Sequence, residues 1–221
     1  MPAGPGRRTV FVTGGTGYLG VPLIRGLLER GHAVRALVRP GSSGPLPAGA
    51  TRIAGDALRA ETYRDQVAPA DTLVHLVGTP RPGSAKTAEF RRVDLVSVEA
   101  AVAAAQSAPV THFVYVSVAH PAPVMQAYIS VRRQGETLVR GSGLSVTILR
   151  PWYVLGPGHR WPLMLAPLYA VWSIIPSTSD GARRLGLVTL AQMVGALIRA
   201  VENPPEGVRV VEVPEIRSTR G

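Results

Sequence analysis

Short hydrophobic runs alternate with amphipathic stretches along almost the whole chain. Seven runs rich in β-branched residues predict strands, at 8–14, 32–40, 51–56, 71–78, 111–118, 145–151 and 207–213. Four stretches in which apolar residues recur every three or four positions predict helices, at 18–31, 85–107, 125–140 and 190–202. Apolar strands separated by helices are typical of a parallel sheet that is buried on both faces. The pattern therefore predicts an α/β fold with a doubly wound parallel sheet, whose ligand site lies beyond the carboxyl ends of the strands.

The length fits one domain. The 221 residues are enough for one sizeable core, and no composition break marks a linker. We expect a flexible N-terminus over 1–8 and a single domain over 9–221, with a small lid region at about 151–189. The uncharged segment 161–179 contains three prolines, and its apolar part is shorter than the ~20 residues that span a bilayer. We therefore expect a cytoplasmic protein without a membrane span, in which 161–175 covers an apolar surface or contacts a second copy or another subunit.

The composition narrows the chemistry mainly by what it lacks. The chain has no cysteine, which excludes disulfides, a thiolate nucleophile and cysteine-ligated metal sites. The five histidines are scattered without the spacing of a ligand pair, so no metal site is expected. The net charge is +10 and every basic residue except Lys86 is arginine, but the basic residues form no run longer than a pair. A basic surface is therefore favoured over a nucleic-acid site, and it suits an anionic small molecule.

A glycine-rich turn follows the first predicted strand and opens the first predicted helix. It reads TGGTGYLG over 13–20, with Gly14, Gly17 and Gly20 at three-residue intervals and Gly15 beside them. These glycines allow, in that order, a tight turn, a close approach to a pyrophosphate and close packing of the helix on the sheet. Amides at the start of the helix then face the phosphates. In this context the motif predicts dinucleotide binding rather than a purely structural turn. The other turn residues assigned to the cofactor site are Thr16, Tyr18 and Leu19.

The end of the second predicted strand bears on the choice of dinucleotide. Sites for NAD usually place an acidic residue here, about 20 residues beyond the glycine turn, to bind the ribose hydroxyls. This strand ends instead with Arg39, and no acidic residue lies nearby. A planar guanidinium can bind the 2′-phosphate of NADP bidentately. Arg39 therefore favours NADP(H) over NAD(H), while a solvated arginine at a strand end is the alternative in a chain this rich in arginine.

Together these stretches resemble the short-chain dehydrogenase/reductase superfamily, in its extended and atypical branches, alongside the nucleotide-sugar epimerases and the isoflavone-reductase-like proteins. The resemblance covers residues 9–160 and includes THFVYVSV, YISVRRQGE and TILRPWYVLGPG as well as the glycine turn. It implies a Rossmann fold, an NAD(P) cofactor and an oxidoreductase activity. It also implies that Asp56 contacts the adenine, that Gly78 lies beside the adenosine ribose and that Pro151 begins a loop beside the nicotinamide.

The catalytic residues that the resemblance implies are only partly present. Family enzymes use a Tyr-x-x-x-Lys pair with a Ser or Thr and often an Asn. Tyr128 occupies the tyrosine position, Arg132 the lysine position and Asp94 the asparagine position. The hydroxyl position falls on Val118, with Ser117 one residue early. We take Tyr128, Arg132 and Ser117 as the candidate catalytic residues.

The pair Tyr128 and Arg132 is plausible on physical grounds, because positions i and i+4 share a face of a helix. Tyrosine ordinarily has a pKa near ~10, and a neighbouring cation favours its phenolate form. An arginine can supply that charge, although it cannot shuttle a proton as lysine can. The two substitutions of opposite charge lead to the hypothesis that Asp94 and Arg132 pair in the space that Asn and Lys normally share. The alternative is that Tyr128 caps a pocket and Arg132 lies on a solvated face.

Three functions fit these features. The first is an NADP(H)-dependent oxidoreductase that reduces a carbonyl on a small apolar substrate, with Tyr128 protonating the nascent alkoxide. The second is a dinucleotide-binding redox sensor or accessory subunit without turnover, which the incomplete catalytic set and the short segment beyond residue 160 favour. The third, a sugar-nucleotide epimerase or dehydratase, is weaker because the epimerases that the chain resembles carry a substantial substrate lobe there.

Overall fold

The computed structural model describes residues 6–79, 87–122, 124–157 and 186–219. The strands in these ranges are β1 (Thr9–Thr13), β2 (Ala33–Val38), β3 (Thr51–Ala54), β4 (Thr72–His75), β5 (His112–Val116), β6 (Ser145–Arg150), β7 (Tyr153–Leu155), β8 (Leu187–Thr189) and β9 (Val208–Glu212). Seven of them form one parallel sheet in the order β3-β2-β1-β4-β5-β6-β9. Strands β7 and β8 form a separate parallel pair that the sequence pattern does not predict. The predicted doubly wound parallel sheet is confirmed.

Helices connect the strands. They are α1 (Gly20–Glu29), α2 (Thr87–Glu89), α3 (Val96–Gln106), α4 (Gln126–Arg140), α5 (Leu190–Glu202) and α6 (Val213–Ser218). A π-helical segment, Phe90–Leu95, joins α2 to α3 and makes the run helical throughout. Short 3-10 turns at Ala60–Thr62 and Arg64–Gln66 lie between β3 and β4. These turns and α6 are too short to show a helical period, which is why the pattern does not predict them.

Both faces of the sheet are buried, as the central strand β1 illustrates. Val10 and Val12 belong to one core cluster, together with Leu23 and Leu27 of α1. Phe11, between them, belongs to a second cluster that includes residues of α3. Side chains alternate across a strand, so consecutive apolar residues are buried on opposite faces. This double burial explains the near-continuous apolar sequence of the strand.

Helices α1 and α5 pack closely on one face of the sheet. Gly26 lies at this contact, where a Cβ would lie 2.7 Å from Cδ1 of Ile198 and would force that side chain to move. Helix α5 begins with a reciprocal capping box, in which the Thr189 hydroxyl accepts from the N–H of Gln192 at 3.2 Å. The Gln192 side-chain oxygen accepts from the N–H of Thr189 at 2.9 Å. These two bonds satisfy helix donors that would otherwise lack partners and so fix where α5 begins.

The direction of strand order changes between β1 and β4, and this is the switch point at which such sheets bind ligands. The two strands pair in parallel, with Thr13 beside His75. The pairing continues beyond the strand ends, since the N–H of Leu76 donates to the Thr13 carbonyl at 3.1 Å. The glycine turn after β1 and the segment after β4 therefore lie side by side at the carboxyl edge of the sheet.

The described residues cover only parts of the expected N-terminal and lid regions. Arg8, the last residue of the expected flexible N-terminus, makes two backbone hydrogen bonds: its N–H donates to Nδ1 of His32 at 3.1 Å and its carbonyl accepts from the N–H of Ala33 at 2.9 Å. Most of the expected lid, and the whole of 161–175, lies outside the described residues. Within the described ranges, none of the helices has the length and apolar character needed to cross a membrane.

Candidate functional site

The glycine turn has the geometry that its spacing predicts. Gly14 has φ +74°, in the left-handed region that favours glycine, and the N–H of Gly17 donates to the Gly14 carbonyl at 3.0 Å. Gly20 is the first residue of α1, and a Cβ there would lie 2.6 Å from the carbonyl carbon of Gly15. The backbone therefore turns tightly from β1 into α1, and the amino end of the helix meets the turn directly. This is the arrangement that places helix amides against phosphates.

Gly20→Ala is expected to weaken dinucleotide binding by about tenfold and to destabilise the fold by about 1–3 kcal/mol, because the new Cβ can only be accommodated by moving the backbone of the turn. Fluorescence titration with NADPH and a urea unfolding curve measure the two effects. The matched control is Gly141→Ala at the C-cap of α4, where φ is −80° and the nearest atom would be 3.5 Å away. Equal behaviour of the two variants would contradict a role for close packing at the turn.

A cleft of about 530 Å³ opens over this turn, within the size range of cofactor pockets. Six of the predicted cofactor residues line it: Gly14, Thr16, Gly17, Arg39, Asp56 and Gly78. The wall opposite the turn is formed by the helical run, through Glu89 and Val93. The switch point, the bare glycine backbone and the guanidinium of Arg39 at the end of β2 together fit a dinucleotide.

The other predicted cofactor residues do not line the cleft but support it. Gly15 is buried beneath the turn, where a Cβ would lie 3.0 Å from the side chains of Ala36 and Ile24. The hydroxyl of Tyr18 reaches Gly156, and Leu19 packs against the core. Gly20 begins α1, as described above. The Pro151 carbonyl accepts a hydrogen bond from the N–H of Ala119 at 2.9 Å and so links the ends of β5 and β6.

Arg39 and Asp56 both line the cleft, but they differ in how far other residues hold them in place. Arg39 is exposed at the end of β2, and its guanidinium makes no hydrogen bond or ion pair with other residues in the described part of the chain. Asp56 is held after β3, where its Oδ1 accepts from the N–H of Leu58 at 3.0 Å and its own N–H donates to the Thr62 hydroxyl at 2.9 Å. The first residue is available to a ligand anion, and the second is fixed in place by its surroundings.

Tyr128 and Arg132 meet on the buried face of α4, as predicted from their spacing. Arg132 Nε donates to the Tyr128 hydroxyl at 3.0 Å, and the guanidinium carbon lies 5.1 Å from the centre of the tyrosine ring. The edge of the ring packs against Phe90 of the π-helical segment, with centroids 5.1 Å apart. Met125, directly before α4, has φ 58°, a left-handed conformation that is uncommon for such a residue and occurs preferentially at functional sites.

The hypothesis that Asp94 and Arg132 form a pair is confirmed. Arg132 Nη2 lies 2.7 Å from Asp94 Oδ1, with 7% and 1% of the two side chains exposed. Asp94 also accepts from the N–H and the hydroxyl of Thr79, and Arg132 Nη1 donates to the Val116 carbonyl at 3.1 Å. Burial disfavours the charged form of Arg132, but Tyr128, Tyr115 and Asp94 outweigh that effect and raise its pKa above the usual range. The guanidinium beside Tyr128 therefore stays charged.

Gly78 is the point at which the cleft and the ion pair touch. It lines the cleft, and a Cβ on it would collide with Arg132 Nη2 and lie 3.3 Å from Asp94 Oδ1. Only a residue without a side chain fits here. A ligand in the cleft is thus separated from the buried charges by a single stretch of backbone.

Ser117 does not join Tyr128. Its hydroxyl donates to Glu136 Oε1 at 2.6 Å, inside a separate polar cluster in which Arg150 Nε donates to the same oxygen at 2.9 Å. Burial raises the pKa of Glu136, but the hydrogen bonds from Arg150 and Ser117 outweigh it and hold this pKa below its usual value. The hydroxyl of Ser117 is thus committed to a buried carboxylate, and the structure does not support its place in the candidate catalytic set.

A buried histidine that the sequence analysis does not assign links β1 to the helical run. His75 Nδ1 lies 2.8 Å from the Thr13 hydroxyl, and Nε2 lies 3.3 Å from the hydroxyl of Ser97. Ser97 in turn donates to the Asp94 carbonyl at 3.0 Å. Burial and the nearby charge of Arg132 lower the pKa of His75 to about 3. A neutral histidine therefore supports the strand end beneath the glycine turn and the segment that carries Asp94.

This histidine is expected to make stability depend on pH. In the unfolded chain the pKa of His75 is near ~6.5, whereas in the folded protein it is about 3. Between these two pH values the unfolded state therefore binds a proton that the folded state does not bind. Stability should then fall as the pH decreases, by up to about 1.4 kcal/mol per pH unit from this group. Urea unfolding between about pH 7 and pH 5 at constant ionic strength measures the slope, which should be flatter in His75→Gln. Identical slopes in the two proteins would contradict the assignment.

Sequence reasoning misses the residues that frame the pair from other elements: Phe90, Thr79, Tyr115 and His75. The spacing of Phe90 and Asp94, four residues apart in a helical run, is the one local signal for a shared contact with α4. The others come from strand ends that only the sheet brings together. Among the described residues no cluster of potential metal ligands occurs.

Comparison with known proteins agrees with this geometry. A family described as NAD(P)H-binding matches residues 14–159, so the chain belongs to that family. A short-chain dehydrogenase/reductase superfamily protein from Agrobacterium tumefaciens, solved with bound NAD, has a similar fold: the TM-score is 0.67 at 17% identity, over 92% of this chain and 77% of that one.

Two curated relatives are similar in sequence. One is the 4-hydroxy-2-methyl-3-oxo-4-farnesyl-3,4-dihydroquinoline-1-oxide ketoreductase of Stigmatella aurantiaca, 33% identical over 66% of this chain and 50% of the relative. The other is the ceramide reductase of Caulobacter vibrioides, 30% identical over 96% of this chain and 66% of the relative. The chain thus spans between half and two thirds of the length of these relatives.

Proposed function

We propose that the protein is an NADP(H)-dependent oxidoreductase that reduces a carbonyl group on an apolar substrate, with Tyr128 as the general acid. The observation that carries the proposal is the hydrogen bond between Tyr128 and a buried, permanently charged Arg132, one glycine away from the dinucleotide cleft. A phenol with a fixed cation can give up a proton and leave its negative charge stabilised.

The residues divide the work between binding and proton transfer. The glycine turn would hold the pyrophosphate, Arg39 the 2′-phosphate and Asp56 the adenine. The cofactor, when bound, supplies the hydride that reduces the carbonyl carbon. Tyr128 would donate its phenolic proton to the carbonyl oxygen, and Arg132 would stabilise the phenolate through its Nε–H. Asp94 holds the guanidinium of Arg132 in position. The two residues together would thus take the place of the asparagine and lysine that the family enzymes use.

The preference for NADP(H) rests on Arg39. Its guanidinium is exposed at the rim of the cleft and makes no ion pair within the described ranges, so a 2′-phosphate could bind it without displacing another partner. An apolar substrate is supported by the names of the two relatives, one of which contains a farnesyl group and the other a ceramide. Both names also describe reduction.

The test combines cofactor binding with turnover. Thermal melting is compared with NADPH, NADP, NADH and NAD at equal concentrations, where saturation at 100 times the dissociation constant adds about 2.7 kcal/mol. A panel of long-chain ketones is then assayed by the loss of NADPH absorbance. A melting shift with the phosphorylated pair and turnover of at least one ketone support the proposal. No shift with any of the four nucleotides would overturn it.

A dinucleotide-binding protein without turnover is the second candidate, and the position of Ser117 favours it. With that hydroxyl bound to Glu136, Tyr128 lacks the hydroxyl partner that the related enzymes use. This candidate predicts tight binding of NADPH with no consumption on any ketone. It also predicts a partner protein, for which 161–175 is the proposed surface.

A further inference from the structure

The loop that follows β2 is held by an arginine from the neighbouring strand. Arg52 of β3 donates from Nη1 to the Ser42 carbonyl at 3.2 Å and from Nη2 to the Gly44 carbonyl at 3.1 Å. Within the loop, the N–H of Ser42 donates to the Arg39 carbonyl at 3.0 Å, which closes a turn. The N–H of Gly44 donates to the Ser42 hydroxyl at 3.3 Å. The loop therefore has a defined shape, which the two hydrogen bonds from the Arg52 guanidinium stabilise.

The same loop is packed against the glycine turn. A Cβ at Gly44 would lie 3.0 Å from Cβ of Thr16, so the backbone of the loop packs closely against the Thr16 side chain. Arg39, Ser42 and Thr16 all line the dinucleotide cleft. The loop thus forms one wall of the cleft, and Arg52 holds that wall from the outer side.

From these contacts we infer that Arg52 is a positioning residue for cofactor selectivity: it holds the 39–44 loop so that Arg39 and Ser42 together receive the 2′-phosphate of NADP(H). The inference rests on the proposed function and names how its cofactor preference arises. Ordering a flexible loop on binding costs free energy. A loop that Arg52 already holds in place avoids that cost, so the phosphate binds it more tightly. NADH carries a neutral 2′-hydroxyl in place of the phosphate, so its affinity should depend far less on Arg52.

The chain offers a matched control in Arg35. It lies on β2, and the strand register pairs Ala36, its neighbour, with Arg52. The two arginines therefore point to opposite faces of the sheet one residue apart. Arg35 also donates two hydrogen bonds to a backbone carbonyl, that of Gln66, at 3.2 and 3.0 Å. Arg35→Gln removes the same charge and the same kind of bond without touching the loop.

The experiment measures dissociation constants for NADPH and NADH by fluorescence titration in the wild type and in Arg52→Gln, Arg35→Gln, Arg39→Ala and the double variant Arg39→Ala/Arg52→Gln. Arg52→Gln should reduce the preference for NADPH over NADH about tenfold, through NADPH alone, and Arg35→Gln should leave it unchanged. In the Arg39→Ala background, Arg52→Gln should change the preference by less than about threefold, because the residue acts through the loop.

Arg52→Lys adds a variant that keeps the charge, and it should behave as Arg52→Gln does, since an ammonium group cannot span both carbonyls in one plane. Wild-type selectivity in Arg52→Lys, equal losses in Arg52→Gln and Arg35→Gln, or full additivity in the double variant would each overturn the inference while the NADP(H) preference stands. A wild type that binds NADPH and NADH equally would overturn the cofactor proposal and this inference together.

Discussion

Tyr128→Phe is expected to lower kcat for ketone reduction by about 100-fold or more, because it removes the phenolic proton that the proposed mechanism transfers to the substrate oxygen. The affinity for NADPH should not change, since Tyr128 does not line the dinucleotide cleft. Steady-state rates with the best ketone of the panel, together with NADPH titration, separate the two effects. The fold should also be preserved, because the ring still packs against Phe90.

The control for this variant is a tyrosine buried elsewhere. Tyr63 is 1% exposed, stacks on Phe11 with centroids 5.9 Å apart, and has a hydroxyl without a hydrogen-bond partner in the described part of the chain. Tyr63→Phe removes the same atom and should leave kcat unchanged. If Tyr128→Phe retained wild-type turnover, another group would have to donate the proton.

Asp94→Asn is expected to destabilise the protein by about 3–5 kcal/mol, because it leaves the charge of Arg132 buried without its partner. The effect is read from urea unfolding at neutral pH. Adding Arg132→Met to Asp94→Asn should recover part of the loss, since a buried pair replaced by neutral side chains no longer contains an unpaired charge.

An exposed ion pair supplies the control for this prediction. Arg59 Nε lies 3.0 Å from Glu61 Oε1, with side chains 63% and 59% exposed. Glu61→Gln should leave the unfolding midpoint unchanged, because solvent screens such pairs. A similarly small effect of Asp94→Asn would mean that water or another group compensates Arg132, and the account of a dry, fixed cation at Tyr128 would then be wrong.

The features that the sequence predicts well are those that depend on neighbouring positions. The strands are apolar on both faces, which indicates a parallel sheet without further information. Tyr128 and Arg132 are one helical turn apart, so their contact follows from helix geometry alone. The pairing of Asp94 with Arg132 is a longer-range contact, and it was predictable only because two substitutions of opposite charge coincide in the resemblance.

The features that the sequence does not predict depend on the exact path of the backbone. Ser117 follows β5, where a shift of one residue turns a side chain to the other face, and its hydroxyl points to Glu136. Arg52 acts on a loop without periodicity, through two carbonyls that no side-chain pattern reveals. Residue type identifies such groups as candidates, but their direction depends on neighbouring strands.

The π-helical segment gives the helical run two unequal halves. In a regular α-helix each residue advances the direction of its side chain by about 100°, and the hydrogen bonds of a π-helix span one residue more than those of an α-helix. Within and beside this segment, Glu89 and Val93 line the cleft and Asp94 pairs with Arg132 of α4, while Val98 and Ala101 beyond it lie in the core. The π-helical segment thus lies between the residues that line the cleft and the residues that pack in the core. A protein of this fold with one residue fewer between Glu89 and Val96 is expected to keep the core packing and to turn its carboxylate away from the arginine, so that a change in length alone, with no change of side chain, would break the ion pair.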